Sequence, residues 1–280
     1  MPSASTLPQV PFGKHQISKL ILGDNPIYGY SHFNQHLSEH FKESHDPDSV
    51  ISTLKRAEEV GITAWQNTLN ERPAQDLARY REEGGKIQYL CLSAGGTWLE
   101  NPDLVFEAAK HNPIGMAPHG GGVGARCLRE GRLDELKDIL KRIRDAGVMV
   151  GISAHDVELV QIAEDEAWDV DYYMTAFYNL AGAHREFEEK FGHAPLSEVY
   201  LREHRERMCA AVRQADKPCI AFKVLAAGRL VNSPDQIRTE FEYALNNIKP
   251  TDSILVGMYQ KWGDQIGQNA ETIANLCAHK

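Results

Sequence analysis

The sequence predicts a closed α/β barrel, a (β/α)8 TIM barrel formed as a single domain over residues 1–280. Two observations carry that prediction. Short apolar, often β-branched runs alternate eight times with amphipathic segments of helical period, a pattern that requires a parallel sheet covered on both faces. The chain is 280 residues long, close to the ~250 that such barrels use, and no linker or low-complexity tract divides it.

In chain order, the first strand, 20–23, ends in Asp24-Asn25 and opens into a long loop, 26–47, before a helix over 48–60. Strands follow at 62–66, 87–92, 113–117, 148–153, 170–175, 219–223 and 254–257. Their helices are expected at 74–83, 103–110, 133–146, 157–166, 196–214, 234–248 and 264–278. Gly61 and Gly147 stand where a left-handed residue closes a helix. Asp48 and Ser233 stand where N-caps are expected, the latter with Pro234 in the first turn. A second long loop spans 180–195. Both long loops follow strands, so both belong to the C-terminal rim, where barrels place their chemistry and where long loops act as covers.

Thirty basic against 39 acidic residues give a net charge of −9, with no block of like charges. That argues against nucleic acid and anionic membranes as partners and leaves a small-molecule substrate as the expected one. No apolar run approaches the ~20 residues of a membrane span, and residues 1–16 lack the charged and apolar regions of a signal peptide. Five scattered cysteines without a CxxC pair imply reduced thiols, a cytoplasmic location and no zinc ribbon.

The richest stretch is Gly115 to Asp156. GMAPHGGG ends a strand in His119, a helix follows, and VMVGISAHD ends the next strand in His155. The histidines are 36 positions apart, one βα repeat, which brings both to the same rim. They are candidates for an acid/base pair or, with Asp24, for the ligands of a divalent metal. Lys223, at the end of the seventh strand, can stabilise an enolate, bind a carboxylate or phosphate, or act as a base if desolvated. Gly120, Gly121, Gly122 and Gly124 can bring backbone amides to a ligand oxyanion. Asn25, Gln66, Tyr178, Asn179 and Tyr259 are candidate substrate ligands. His32, His36 and His40 share one face if their segment is helical, and His32 lies nearest the strand end. Asp156 is read as an N-cap, and Trp168, Tyr172 and Tyr173 as packing residues.

Several segments resemble the aldo/keto reductase superfamily. VMVGISAHD is similar to its strand-five GxS-N segment, TAFYNL to its strand-six Tyr-Asn run, and FKVLAAGRL to its strand-seven PLxxGxL pattern. SILVGMYQKWGDQIGQN resembles its last strand and the helix beyond, and AEEVGITAWQNT lies where the family reads ALDLGVTFFDTA. The resemblance implies the barrel, and a nicotinamide site using Ser153, Gln265 and Asn269. The family's reductase chemistry uses Asp, Tyr, Lys and His. Here Gln66-Asn67 replace Asp-Thr, Asn70-Glu71-Arg72 lack the Tyr-Gly, and Ser93 stands in place of Lys, so that only His119 is retained. A neutral Gln cannot tune an acid as a carboxylate does, and Ser cannot supply an ammonium.

The expectation is therefore a reductase-like barrel with non-redox chemistry. It would be an isomerase or lyase acting on a small polyhydroxylated or carbonyl substrate, by acid/base catalysis or with a divalent metal. The alternatives are an NADP-dependent reductase with a substituted proton donor, such as His119, Tyr28 or Tyr178, and a non-catalytic binding protein.

Overall fold

Alternation along each strand sorts side chains to the two faces of a cylinder. The structure, a computed structural model, describes residues 6–278. The first five residues of the segment read as lacking a signal peptide, and the last two of the expected domain, lie outside those described. Eight parallel strands close in chain order: β3 (Leu20–Gly23), β4 (Ala64–Thr68), β5 (Gln88–Leu92), β6 (Gly115–Ala117), β7 (Met149–Ala154), β8 (Tyr172–Ala176), β9 (Cys219–Phe222) and β10 (Ser253–Gly257). Closure is made by β10 on β3, where Ile254 pairs with Leu20 and Gly257 with Gly23. Ile21, Leu90, Tyr172, Met174, Ile220 and Leu255 fill the barrel interior. Their neighbours, such as Leu20, Trp65, Tyr89 and Ile152, pack outward against the helices.

The sequence pattern predicts no element before residue 20. A hairpin lies there, formed by β1 (Gln9–Phe12) and β2 (His15–Ser18), and its inner face packs into the N-terminal end of the barrel. Phe12 pairs with His15 across a two-residue turn in which Gly13 adopts φ +56, a conformation that favours glycine. The Phe12 ring meets Tyr172 edge-on with centroids 4.8 Å apart, and a Cβ on Gly151 would collide with that tyrosine. This end of the barrel is sealed.

Helix boundaries fall within a few residues of expectation outside the two long loops, although one cap differs. Asp46, not Asp48, caps the helix Pro47–Glu59, because its carboxylate accepts the Ser49 N–H and Pro47 takes the first helical position. The loop 26–47 contains two helices, Asn25–Tyr28 and Gln35–Ser44. The loop expected over 180–195 is mostly the helix Leu180–Phe191, and the helix expected from 196 begins at Arg202. Ser233 caps its helix as expected, and Gly61 and Gly147 are left-handed at φ +87 and +76. No helix among the described residues is long and apolar enough to cross a membrane.

Candidate active site

Two clusters of polar side chains occupy the C-terminal mouth. The first descends from the β6 and β7 ends. Ser93 takes the place of a lysine in the reductase pattern, and its Oγ accepts the His119 N–H at 2.8 Å, which anchors the start of the glycine loop. Residues Gly120–Gly124 form a single wide helical turn in which the Val123 and Gly124 amides bond the His119 carbonyl. The Gly122 amide donates to His119 Nδ1 at 2.9 Å. These three amides therefore serve His119, which leaves Gly120 and Gly121 as the loop's amides that could face a ligand. A neutral His119 whose Nδ1 is an acceptor carries its proton on Nε2, so it presents an N–H donor. Burial, and then the charge of Lys223, hold its pKa below the ordinary histidine value.

His155 follows β7, with its ring 6.3 Å from that of His119 and 5.5 Å from that of Phe222. Burial pushes its pKa well down, and the charges of Lys223, His119 and His32 push it further, so this imidazole is neutral. Gly120 is required here. A Cβ on it would lie 2.8 Å from both His155 Cδ2 and Ser153 Oγ. Beside His155, a cavity of about 210 Å3 extends between the β8 end and the helices Leu180–Phe191 and Arg202–Gln214.

The second cluster joins three loops. Lys223 stands one residue past β9 with φ +59, a left-handed backbone uncommon for lysine. Its Nζ lies 3.1 Å from His32 Nε2, and His32 Nδ1 donates to Glu198 at 2.8 Å. That donation fixes His32 Nε2 as the acceptor for a Lys223 N–H. Tyr200 OH also donates to Glu198, at 2.9 Å. Burial pushes Lys223 down to about 8, opposed by the charge of Glu198. Burial raises Glu198, but the hydrogen bond and charge of His32 outweigh it and leave its pKa lowered. Arg229 clamps the group: its guanidinium lies 4.4 Å from the Phe33 ring centre and 4.2 Å from that of Tyr200, and it donates to the His32 carbonyl at 2.9 Å.

The structure thus brings together His119, His155, Lys223 and His32 from the expected set, and adds Glu198, Tyr200, Phe222 and Arg229. Glu198 and Tyr200 fall in a segment read as helix, where nothing marked them. Arg229 lies inside FKVLAAGRL, so closeness to Lys223 was its only signal. Gln66 points inward on β4, buried, with no partner for its Nε2 among the described residues, as a ligand-seeking amide would. Asn25 is half-buried at the start of its short helix.

Other expectations are corrected. Asp24 is only 3% exposed, and its Oδ2 accepts the Thr68 N–H at 2.7 Å, tying β3 to β4 and not reaching the histidines. Burial pushes its carboxyl up to about 6. Tyr178 packs in the outer core against Tyr200, with ring centres 5.2 Å apart. Asn179 is an N-cap, with Oδ1 on the Gly182 amide and Nδ2 on Asp156. Asp156 is itself an N-cap, as expected. Tyr259 is buried with its OH on His40 Nε2 at 2.8 Å and on Ser44 Oγ at 2.9 Å. The histidine stripe is broken, because Asn34 caps the helix that carries His36 and His40 and leaves His32 outside it.

Most of the residues expected to hold a divalent metal or a nicotinamide are covered or engaged by the chain itself. Coordination through His119 Nε2 would need a lone pair where the Gly122 hydrogen bond leaves a proton. No group of three His, Cys, Asp or Glu among the described residues is placed to hold a metal ion. For a nicotinamide, Ser153 is 2% exposed beneath Gly120. The Gln265 side-chain carbonyl accepts the Tyr259 N–H at 2.8 Å, and Asn269 is buried. The residues that the resemblance assigns to a dinucleotide are thus covered or engaged by the chain itself.

No family model and no curated protein matches the chain. Solved structures do. A thermostable aldo-keto reductase in complex with the inhibitor epalrestat shares 12% identity at a TM-score of 0.59, over 95% of this chain and 93% of that one. A mutant of Gox0644 in complex with NADPH shares 13% at 0.56, over 95% and 88%. Orotidine 5'-monophosphate decarboxylase from Methanocaldococcus jannaschii shares 12% at 0.54, over 93% and 98%. At such identities the likeness establishes the fold alone, a TIM barrel, which aldo-keto reductases share with other enzymes.

Proposed function

We propose that the C-terminal mouth is a non-redox acid/base site, acting as an isomerase or lyase on a small carbonyl or polyhydroxylated substrate. The observation that carries this reading is the Glu198–His32–Lys223 chain, placed on the same mouth as two neutral imidazoles. His119 offers an N–H to a carbonyl oxygen as negative charge develops there. His155, neutral and without a hydrogen bond among the described residues, is the acceptor for a proton from the adjacent carbon. The lysine, histidine and glutamate move a second proton, and Gln66 binds a hydroxyl. Five free cysteines support a reducing, cytoplasmic setting.

The test is deuterium uptake in D2O at carbon next to the carbonyl, followed by proton NMR with dihydroxyacetone and glyceraldehyde as probes. Exchange well above the buffer rate is expected, slowed roughly 100-fold in His119→Ala and in His155→Ala. Exchange at the buffer rate with both probes would sink the reading. The NADP-dependent reductase remains the second reading, favoured by a structural neighbour solved with NADPH. It requires saturable NADPH fluorescence on titration, and the covered Ser153 predicts none.

A further inference from the structure

Three features of Lys223 call for explanation beyond proton transfer. It keeps a left-handed backbone that a glycine would occupy without strain, and left-handed non-glycine residues cluster at functional sites. Among the described residues no carboxylate oxygen lies within 4.0 Å of its Nζ, whereas a lysine held for its charge is normally paired directly. Its hydrogen-bond partner is instead an imidazole nitrogen aligned as an acceptor, with Glu198 behind it. A base placed to take a proton from an amine, with a third group orienting that base, is the arrangement that activates a nucleophile. The Phe222 ring, 5.3 Å from Nζ, gives the amine an apolar wall and also contacts His155.

We infer that Lys223 is a covalent nucleophile that forms an imine with an aldehyde or ketone substrate bound in the mouth. This rests on the acid/base reading and deepens it, because an iminium acidifies the adjacent carbon more strongly than the parent carbonyl does. Lys223 passes one ammonium proton to His32 Nε2. The freed nitrogen lone pair forms the C–N bond as the carbonyl π pair moves to oxygen, beside the His119 Nε2–H. A proton moves from nitrogen to that oxygen, giving a neutral carbinolamine. The C–O bond then breaks, and the hydroxyl leaves as water with the proton returned from His32, as the nitrogen lone pair closes the C=N bond. Ammonium and carbonyl have become protonated imine and water, with no oxidant or reductant involved. His155 then takes the proton from the adjacent carbon.

Reductive trapping tests this. The whole protein is incubated with dihydroxyacetone and sodium cyanoborohydride, and the reduced adducts are located by peptide mass mapping, with the other lysines as internal reference. The expected result is one adduct at Lys223, formed roughly tenfold faster than at any other lysine. The fast phase should vanish in Lys223→Met and also in Lys223→Gly, which accepts φ +59 without strain. Labelling of Lys223 no faster than the other lysines overturns the inference, as does a fast phase that survives both substitutions. The deuterium assay contains no hydride, so the two ideas fail separately. Exchange without trapping leaves acid/base catalysis and removes the imine, whereas trapping without exchange leaves a reactive lysine and removes the proposed proton transfer.

Discussion

At the N-terminal end of the barrel, Phe12 from the hairpin lies 1% exposed against Tyr172, and Val10 and Ile17 complete an apolar plug. At the other end, the same strands finish in Gln66, Ser93, His119, His155 and Lys223, several of them half-buried and one held in left-handed backbone. One end has apolar groups fully removed from water. The other keeps titratable groups between water and protein, where small changes in surroundings shift their protonation. Stability therefore concentrates at the hairpin end and chemistry at the rim. Substitutions at the two ends should separate accordingly.

The largest effect expected on stability is at the plug. Phe12→Ala removes a fully buried ring and should cost about 3–5 kcal/mol in urea unfolding, while the exchange rate per folded molecule stays unchanged. The converse is Lys223→Met. Deuterium exchange should fall by roughly 100- to 1000-fold, about 3–4 kcal/mol in barrier, with little loss of stability, because the ammonium leaves a half-buried position without a carboxylate partner. The wild-type exchange rate should rise as pH passes about 8, where Lys223 loses its proton, and this rise should be absent from Lys223→Met. If Phe12→Ala lost activity in the folded state, or Lys223→Met unfolded like a core variant, the division between the two ends would fail.

The strands were legible because eight apolar runs at regular spacing leave few alternatives to a closed barrel, and His119, His155 and Lys223 were legible because they terminate such runs. The hairpin was not. QVPF and HQIS are four residues each, too short for a periodic signal, and they gain their burial only once a barrel exists to receive them. Glu198 and Arg229 were hidden for a related reason. Their partners lie 166 and 197 positions away in sequence, and local pattern carries nothing about contacts at that distance. Tyr178, Asn179 and Tyr259 were misplaced because residue type near a strand end does not fix side-chain direction. Past β8 the chain leaves the strand and the alternation with it, so that Tyr178 packs in the outer core and Asn179 caps the next helix.

Asp24 sharpens the contrast, because it stands at the rim yet is buried like the plug. Its folded pKa, about 6, lies above its unfolded value, so the folded state holds a proton that the unfolded chain releases. The stability this provides is complete below about pH 4 and is lost as pH rises through 6, on the order of 3 kcal/mol. Asp24→Asn cannot titrate there. Unfolding free energies of wild type and variant should diverge by that amount across pH 4–7, with wild type falling. A parallel pH dependence would mean that Asp24 is ionised at little cost and reached by water.

The smallest effect is expected at Arg229, where the rim is held together. Its guanidinium is sandwiched between Phe33 and Tyr200, bonds the His32 carbonyl and lies 3.8 Å from the Glu198 carboxylate, so it links the loops after β3, β8 and β9 without reaching Lys223 or the two rim imidazoles. A cation–π contact at a partly exposed site contributes about 0.5–1 kcal/mol, so Arg229→Ala should change global stability by about 1 kcal/mol. Its effect should instead be local. With the clamp removed, His32 loses the contact that fixes its backbone, and the His32–Lys223 alignment is held only by Glu198. Amide exchange should quicken in residues 30–34, and the deuterium-transfer rate should drop roughly threefold to tenfold without a shift in its pH profile. A lysine at 229 keeps the charge but lacks the planar face that stacks on both rings, so Arg229→Lys should resemble Arg229→Ala in both readouts. Full activity in Arg229→Lys would show that charge near Glu198 matters there and that stacking does not.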